Sequence, residues 1–137
     1  MSQLSASPYI NFHGQAREAM EFYQQLFGGK LDLLAFDAAG APKPAGPDDQ
    51  IMHCVLESDG FSLMGTDGMS DSPVVGDNFA VALGGSDLER LTKVFEGLSE
   101  GGTVKQPLQK ASWGDTFGWV EDKYQINWMF NISDEQN

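Results

Sequence analysis

Apolar positions along this chain change their period at regular intervals, and each change marks an element. Tyr9 to Phe12 is a short apolar-rich run that suits a strand. From Gln15 the spacing becomes helical. Ala19, Phe22, Tyr23 and Leu26 fall on one face, and Gly28-Gly29 supplies the stop. Lys30 to Phe36 predicts a second strand. Asp37 to Gln50 carries three Pro and two Gly, which predicts a long loop and a candidate lid. Ile51 to Ser58 and Phe61 to Thr66 predict a hairpin that turns at Asp59-Gly60. Residues 67–77 are rich in Gly, Ser, Asp and Pro and read as a linker.

After the linker the order repeats. Asn78 to Leu83 predicts a strand. Ser86-Asp87-Leu88-Glu89 is a capping-box signature with Ser86 as the N-cap. Leu88, Leu91, Val94, Phe95 and Leu98 form the apolar stripe of a second helix, which Gly101-Gly102 ends. Strands over Thr103 to Leu108, Trp113 to Glu121 and Gln125 to Ile132 follow, the last two joined at Asp122-Lys123. Both halves thus share one plan: strand, helix, then three strands. Gly28-Gly29 and Gly101-Gly102 stand at matching points, about seventy residues apart. The expected fold is α+β: a single domain of two βαβββ modules, 7–66 and 78–133. A small sheet with one helix over one face leaves the other face bare, so the modules are expected to combine around a cavity.

Composition narrows the function classes. With 137 residues, three Trp and nine Phe, the chain can bury a core without covalent staples. Its single cysteine, Cys54, excludes an intramolecular disulfide framework and fits a reducing, cytoplasmic setting. No signal peptide is evident at Met1 to Ser7, and no stretch approaches the ~20 apolar residues of a membrane span. Eight basic residues against twenty acidic ones give a net charge of −12, without any basic cluster. That field repels nucleic acid and anionic membranes, so neither is an expected partner.

Several motifs together carry a family resemblance. They are Pro8-Tyr9-Ile10-Asn11-Phe12, Glu18-Ala19-Met20-Glu21-Phe22-Tyr23, Phe27-Gly28-Gly29, Met52-His53, Leu63-Met64-Gly65-Thr66-Asp67, Trp113-Gly114-Asp115-Thr116-Phe117-Gly118 and Asn127-Trp128-Met129. Over nearly its whole length the chain resembles the vicinal oxygen chelate (glyoxalase/bleomycin-resistance/dioxygenase) superfamily, within it the PhnB-like branch. In metal-using members of that superfamily four His, Glu or Gln side chains hold a divalent ion that polarises vicinal substrate oxygens. Counting back from Phe22-Tyr23 places the first matching position at Pro8, and the others fall near Met64, Asn78 and Asn127. Proline offers no ligand, a thioether suits hard cations poorly, and a neutral amide brings no charge. The expectation is therefore no metal and no cofactor. Some PhnB-like sequences carry a methyltransferase label, yet nothing in this sequence suggests an adenosylmethionine site.

Without a metal, interest moves to polar groups that can face the cavity. Alternation in Ile51-Met52-His53-Cys54-Val55-Leu56 puts Met52, Cys54 and Leu56 on the helix side and His53 inward. His53 can serve as general base or ligand anchor, or be a half-buried His satisfied by a backbone carbonyl. Asp115 can orient His53 or receive a ligand hydrogen bond, or simply tie down a turn. Trp113, Phe117 and Trp119 share a face and form either core or a stacking surface. Asn127 shares its face with Gln125, Met129 and Asn131, opposite Ile126, Trp128, Phe130 and Ile132. Its amide needs a partner: ligand, water or backbone. Ile10, Phe12 and Met64 supply apolar lining, as plain core residues also do. His13 suits a surface or capping role, and Cys54 inert packing.

Two functions from different classes remain. One is a metal-free small-molecule binding protein that holds its ligand in an aromatic- and amide-lined cavity. The other is a metal-free lyase or isomerase acting on a small carbonyl compound with His53 as general base. A third possibility is a dimeric interaction module with no sizeable cavity. The resemblance also implies a homodimer, since such sites often span two protomers and the Tyr9 to Phe12 strand would otherwise be an open edge.

Overall fold

The structure is a computed structural model that describes residue 4 and residues 6–68, 75–76 and 78–133. The chain divides into two compact units, residues 1–74 and 75–137. The division falls within the expected linker, most of which lies outside the described residues.

The first unit runs β1 (Tyr9–Asn11), α1 (Ala16–Phe27), β2 (Lys30–Phe36), β3 (Pro42–Pro44), β4 (His53–Ser58) and β5 (Phe61–Thr66). Its sheet order is β1-β5-β4-β2-β3, with β1 parallel to β5 and the other pairs antiparallel. The second unit runs β6 (Val81–Gly85), α2 (Leu88–Ser99), β7 (Thr103–Lys110), β8 (Thr116–Glu121) and β9 (Asn127–Ile132). Its order is β6-β9-β8-β7, again with the first and last strands parallel. The plan is the same twice, as the repeat in the sequence predicts. The addition is β3, inside the expected Asp37 to Gln50 loop. It pairs with β2 at the sheet edge, where proline costs no ladder bond on the open side.

Each helix covers one face of its own sheet. α1 buries Ala16, Ala19, Met20, Tyr23 and Phe27, so Phe22 and Leu26 of the expected stripe lie at its half-buried margin. Phe27 meets Phe61 edge-on, and Cys54, Leu56 and Leu63 complete this core. α2 buries Val94, Phe95 and Leu98 against Val120, Trp128, Phe130 and Ile132. Leu88, expected in that stripe, is the first residue of α2 and is exposed.

Two aspartates fix the local geometry. Asp67, expected in the linker, belongs to the first unit: its Oδ1 accepts from the N–H groups of Gly14 and Ala16, both at 2.8 Å. It caps α1 from a distance in sequence, since Gln15 offers no side-chain cap. Asp122 (2% exposed) organises the β8–β9 turn. Its Oδ1 accepts from Tyr124 N (2.8 Å) and Ile126 N (3.1 Å), and its Oδ2 from the buried Trp128 indole (2.8 Å). At α2 the N-cap is Asp87, which accepts from Arg90 N at 3.1 Å, one residue past the expected Ser86.

The paired glycines have a common cause. Gly28 and Gly101 adopt φ of 74° and 76° at the helix exits. At Gly29 an added Cβ would stand 2.2 Å from the Glu57 carbonyl oxygen, and at Gly102 it would stand 2.3 Å from that of Glu121. Glu57 and Glu121 lie at or next to the ends of β4 and β8, the corresponding strands of the two units. Both turns press the chain against its sheet too closely for any side chain.

Candidate functional site

In the first unit the sheet face away from α1 is set by register. Tyr9 pairs with Met64, which pairs with Val55. The Tyr9 hydroxyl lies 3.2 Å from His53 Nδ1, and the two rings stack with centroids 5.8 Å apart. Tyr9, His53 and Met64 therefore share the open face, His53 pointing there as the alternation predicts. Ile10 pairs with Gly65, itself paired with Cys54, so Ile10 sits on the helix side. Phe12 is buried against Tyr23, 6.3 Å between ring centres. Neither Ile10 nor Phe12 joins His53 on the open face; Tyr9 takes that place. The count that selected Pro8 is off by one, because the residue beside Met64 is Tyr9 and Pro8 contributes only its carbonyl to Met64 N (3.0 Å).

Two further first-unit residues differ in consequence. Burial, with the Asp67 charge adding to it, pushes the Cys54 thiol up to about 12, so it stays a neutral core group. The Asp37 to Gln50 segment is tied down: Asp49 Oδ2 accepts from Gly46 N (2.8 Å) and Lys43 Nζ (3.0 Å), and Arg17 donates to the Gly46 carbonyl.

In the second unit the open face carries Phe117 and Trp119 of β8 beside Met129 and Asn131 of β9, with Asn127 opposite Glu121. Here the amides are engaged. Trp119 Nε1 donates to Asn127 Oδ1 at 2.9 Å, leaving Asn127 only 3% exposed. Lys105 covers the Trp119 ring at 5.1 Å and pairs with Glu121 at 3.4 Å. Further along, Trp113 Nε1 donates to Asn131 Oδ1 (3.3 Å), and Asn131 Nδ2 donates to Asp115 Oδ2 (2.8 Å). Trp113 also meets Phe117 edge-on at 6.0 Å. The partner of Asp115 is thus Asn131, and that of His53 is Tyr9.

Trp113 is not in a strand, as expected from sequence, but in the turn before β8. Ala111 N donates to Asp115 O (2.7 Å), Gly114 N donates to Ala111 O (3.0 Å), and Gly114 takes φ +105°. The indole is 62% exposed yet oriented. Gln125, expected to begin the last strand, instead lies in the turn with φ +69°. Asn78 is exposed and precedes β6. His13, with φ +52°, is a surface turn residue whose N–H donates to Asn11 Oδ1.

Among the described residues, no three His, Cys, Asp or Glu side chains are grouped to hold a metal ion. In the first unit the open face sets the Tyr9 hydroxyl and the His53 imidazole beside the Met64 thioether, and in the second the Asn127 oxygen already accepts from Trp119. A thioether and an engaged neutral amide do not fit the hard or borderline divalent ion of metal-using relatives. Sequence reasoning missed Tyr9 and Asn131. Tyr9 turns on a one-residue register, which alternation alone does not fix at the ends of short strands, whereas Asn131 lies on the face alternation gives it and only its link between Trp113 and Asp115 was not legible.

Comparison with known proteins agrees with this architecture. The profile of the family described as 3-demethylubiquinone-9 3-methyltransferase matches residues 5–131. Protein PA1353 of Pseudomonas aeruginosa has a similar solved structure, with TM-score 0.80 and 32% identity over 96% of this chain and 98% of its own. The YjdN protein of Escherichia coli is 28% identical over 95% of this chain and 96% of its own length. A PhnB protein from Bacillus cereus shares the fold with TM-score 0.76 at 22% identity, covering 95% of this chain and all of its own. Solved members of the glyoxalase/bleomycin resistance/dioxygenase superfamily share it at 16% identity, with TM-scores of 0.59 and 0.57.

Proposed function

The chain belongs to the family described as 3-demethylubiquinone-9 3-methyltransferase, and from that premise we propose a metal-free small-molecule binding protein of the glyoxalase/bleomycin-resistance type. The observation that supports it is the open face of the second sheet. Trp119–Asn127 and Trp113–Asn131–Asp115 form two hydrogen-bonded aromatic–polar arrays there. Binding sites combine apolar contact area with a few fixed polar groups in this way. We do not carry over the methyl transfer in the family's description. Neither sheet is the parallel, doubly wound kind at whose switch point nucleoside cofactors bind. The proposal extends to a homodimer, because β1 and β6 both stand at sheet edges, and to a reducing cytoplasmic setting, which the single Cys54 fits.

One observation favours a second function. The Tyr9–His53 contact gives the imidazole a fixed orientation and a neighbouring hydroxyl, which a metal-free lyase or isomerase would use for proton transfer. A thermal-shift screen of small organic ligands on the wild type, Trp113→Ala and His53→Ala, with conversion of each hit followed by NMR, separates the two. A binder keeps its hits in His53→Ala and loses them in Trp113→Ala. An enzyme loses turnover in His53→Ala while binding persists. A screen without any hit would remove the binding function.

A further inference from the structure

Trp113 is an exposed indole that the protein nevertheless holds at one angle. Surface Trp side chains ordinarily have rotamer freedom, and fixing one costs entropy. Here four features fix it: the Gly114 turn, the edge contact with Phe117, the bond to Asn131 Oδ1, and the grip of Asp115 on the same amide. The Asn131 carboxamide is the coupling element. Its oxygen takes the indole N–H at 3.3 Å and its nitrogen donates to Asp115 Oδ2 at 2.8 Å. Indole and carboxylate therefore lie within the span of one amide group, on a turn and strand with fixed register. Asp115 Oδ1 has no protein partner among the described residues, so part of the carboxylate remains for a ligand.

We propose that Trp113 and Asp115 form a subsite for a flat cationic group, such as a quaternised heteroaromatic ring or a guanidinium. This deepens the small-molecule binding function and rests on it. The indole face attracts cations through its quadrupole, and Asp115 supplies the full negative charge beside it. The net charge of −12 raises the local concentration of cations and disfavours anions of the same shape. Asn131 is the positioning residue: it sets the indole plane relative to the carboxylate and does not itself discriminate charge.

The test uses three probes of one ring size: N-methylquinolinium, 2-naphthalenemethanol and 2-naphthoate. Binding is followed on the full chain by the NMR shift of the Trp113 indole N–H and by equilibrium dialysis. Wild type should bind the cation about tenfold more tightly than the neutral probe, and the anion least. Asp115→Asn keeps an acceptor for Asn131 and removes the charge, so it should bind cation and neutral probe alike. Trp113→Ala should lose both. Asn131→Asp would place a carboxylate against Asp115 and should misorient the indole, seen as a displaced N–H resonance without any probe. Equal affinity for cation and neutral probe in wild type overturns the proposal while leaving small-molecule binding intact. Binding of the cation unchanged in Asp115→Asn also overturns it. If no probe binds, the subsite is refuted, and the broader function falls only if the ligand screen is blank as well.

Discussion

Replacing Asp122 by Asn should weaken the second unit almost as much as replacing it by Ala. The carboxylate uses both oxygens, Oδ1 for Tyr124 N and Ile126 N, and Oδ2 for the Trp128 indole. An Asn has one acceptor. If its oxygen serves the two backbone N–H groups, its amide nitrogen faces the indole N–H, donor against donor. Trp128 is fully buried, so water cannot take that place. An orphaned buried donor costs about 1–3 kcal/mol, and the two backbone bonds lose charge assistance worth roughly half their strength. The sum is about 3 kcal/mol for Asp122→Asn and about 4 kcal/mol for Asp122→Ala, a large share of the ~5–15 kcal/mol typical of a domain. At this chain length, each kcal/mol lowers Tm by roughly 4 °C. Urea unfolding followed by tryptophan fluorescence reads the loss directly, with the denaturant slope expected to stay unchanged. An Asp122→Asn variant within 1 kcal/mol of wild type would show that the two-oxygen geometry does not hold the turn.

Other consequences can be checked alongside. Gly29→Ala and Gly102→Ala should each cost more than about 2 kcal/mol and by similar amounts, because each Cβ meets a backbone carbonyl that cannot move freely; urea midpoints decide this. The Cys54 thiol should react with a disulfide reagent at pH 8 only upon unfolding. Its folded pKa is raised, so its contribution to stability is fully present below the thiol's ordinary value of 9.0 and is lost as pH climbs towards about 12; stopped-flow labelling with and without urea measures both. Asp49 has its carboxyl held below the usual range, first by the Gly46 N–H and then by Lys43, so its stabilising effect is present at neutral pH. It should fade on acidification through the carboxylate range, seen as faster proteolysis within 37–50 at low pH in wild type but not in Asp49→Asn.

Most of the architecture is legible in the residues. The duplicated strand–helix–strands order, the helix stops at paired glycines and the inward face of His53 all follow from periodicity and turn chemistry. What could not be read involves partners distant in sequence. Asp67 caps a helix that begins more than fifty residues earlier, so its place at the head of a stretch rich in Gly, Ser, Asp and Pro reads as linker instead. Aromatic alternation continues through Trp113 and predicts a strand residue, yet Gly114 at φ +105° breaks the strand there. Counting back from α1 through the turn before it points to Pro8, but one residue of slack in that turn puts Tyr9 at the open-face position. A one-residue slip exchanges the two faces of a strand, which is why Ile10 and Phe12 changed sides together.

Native mass spectrometry of the full chain, purified after growth with added Zn, Ni, Mn and Fe and then offered the ligand-screen hits, tests the central claim most directly. Metal-free binding predicts a protomer mass without a divalent ion and a new peak displaced by the mass of one organic ligand per protomer, absent in Trp113→Ala. A stoichiometric metal adduct, or ligand capture only in its presence, would contradict it.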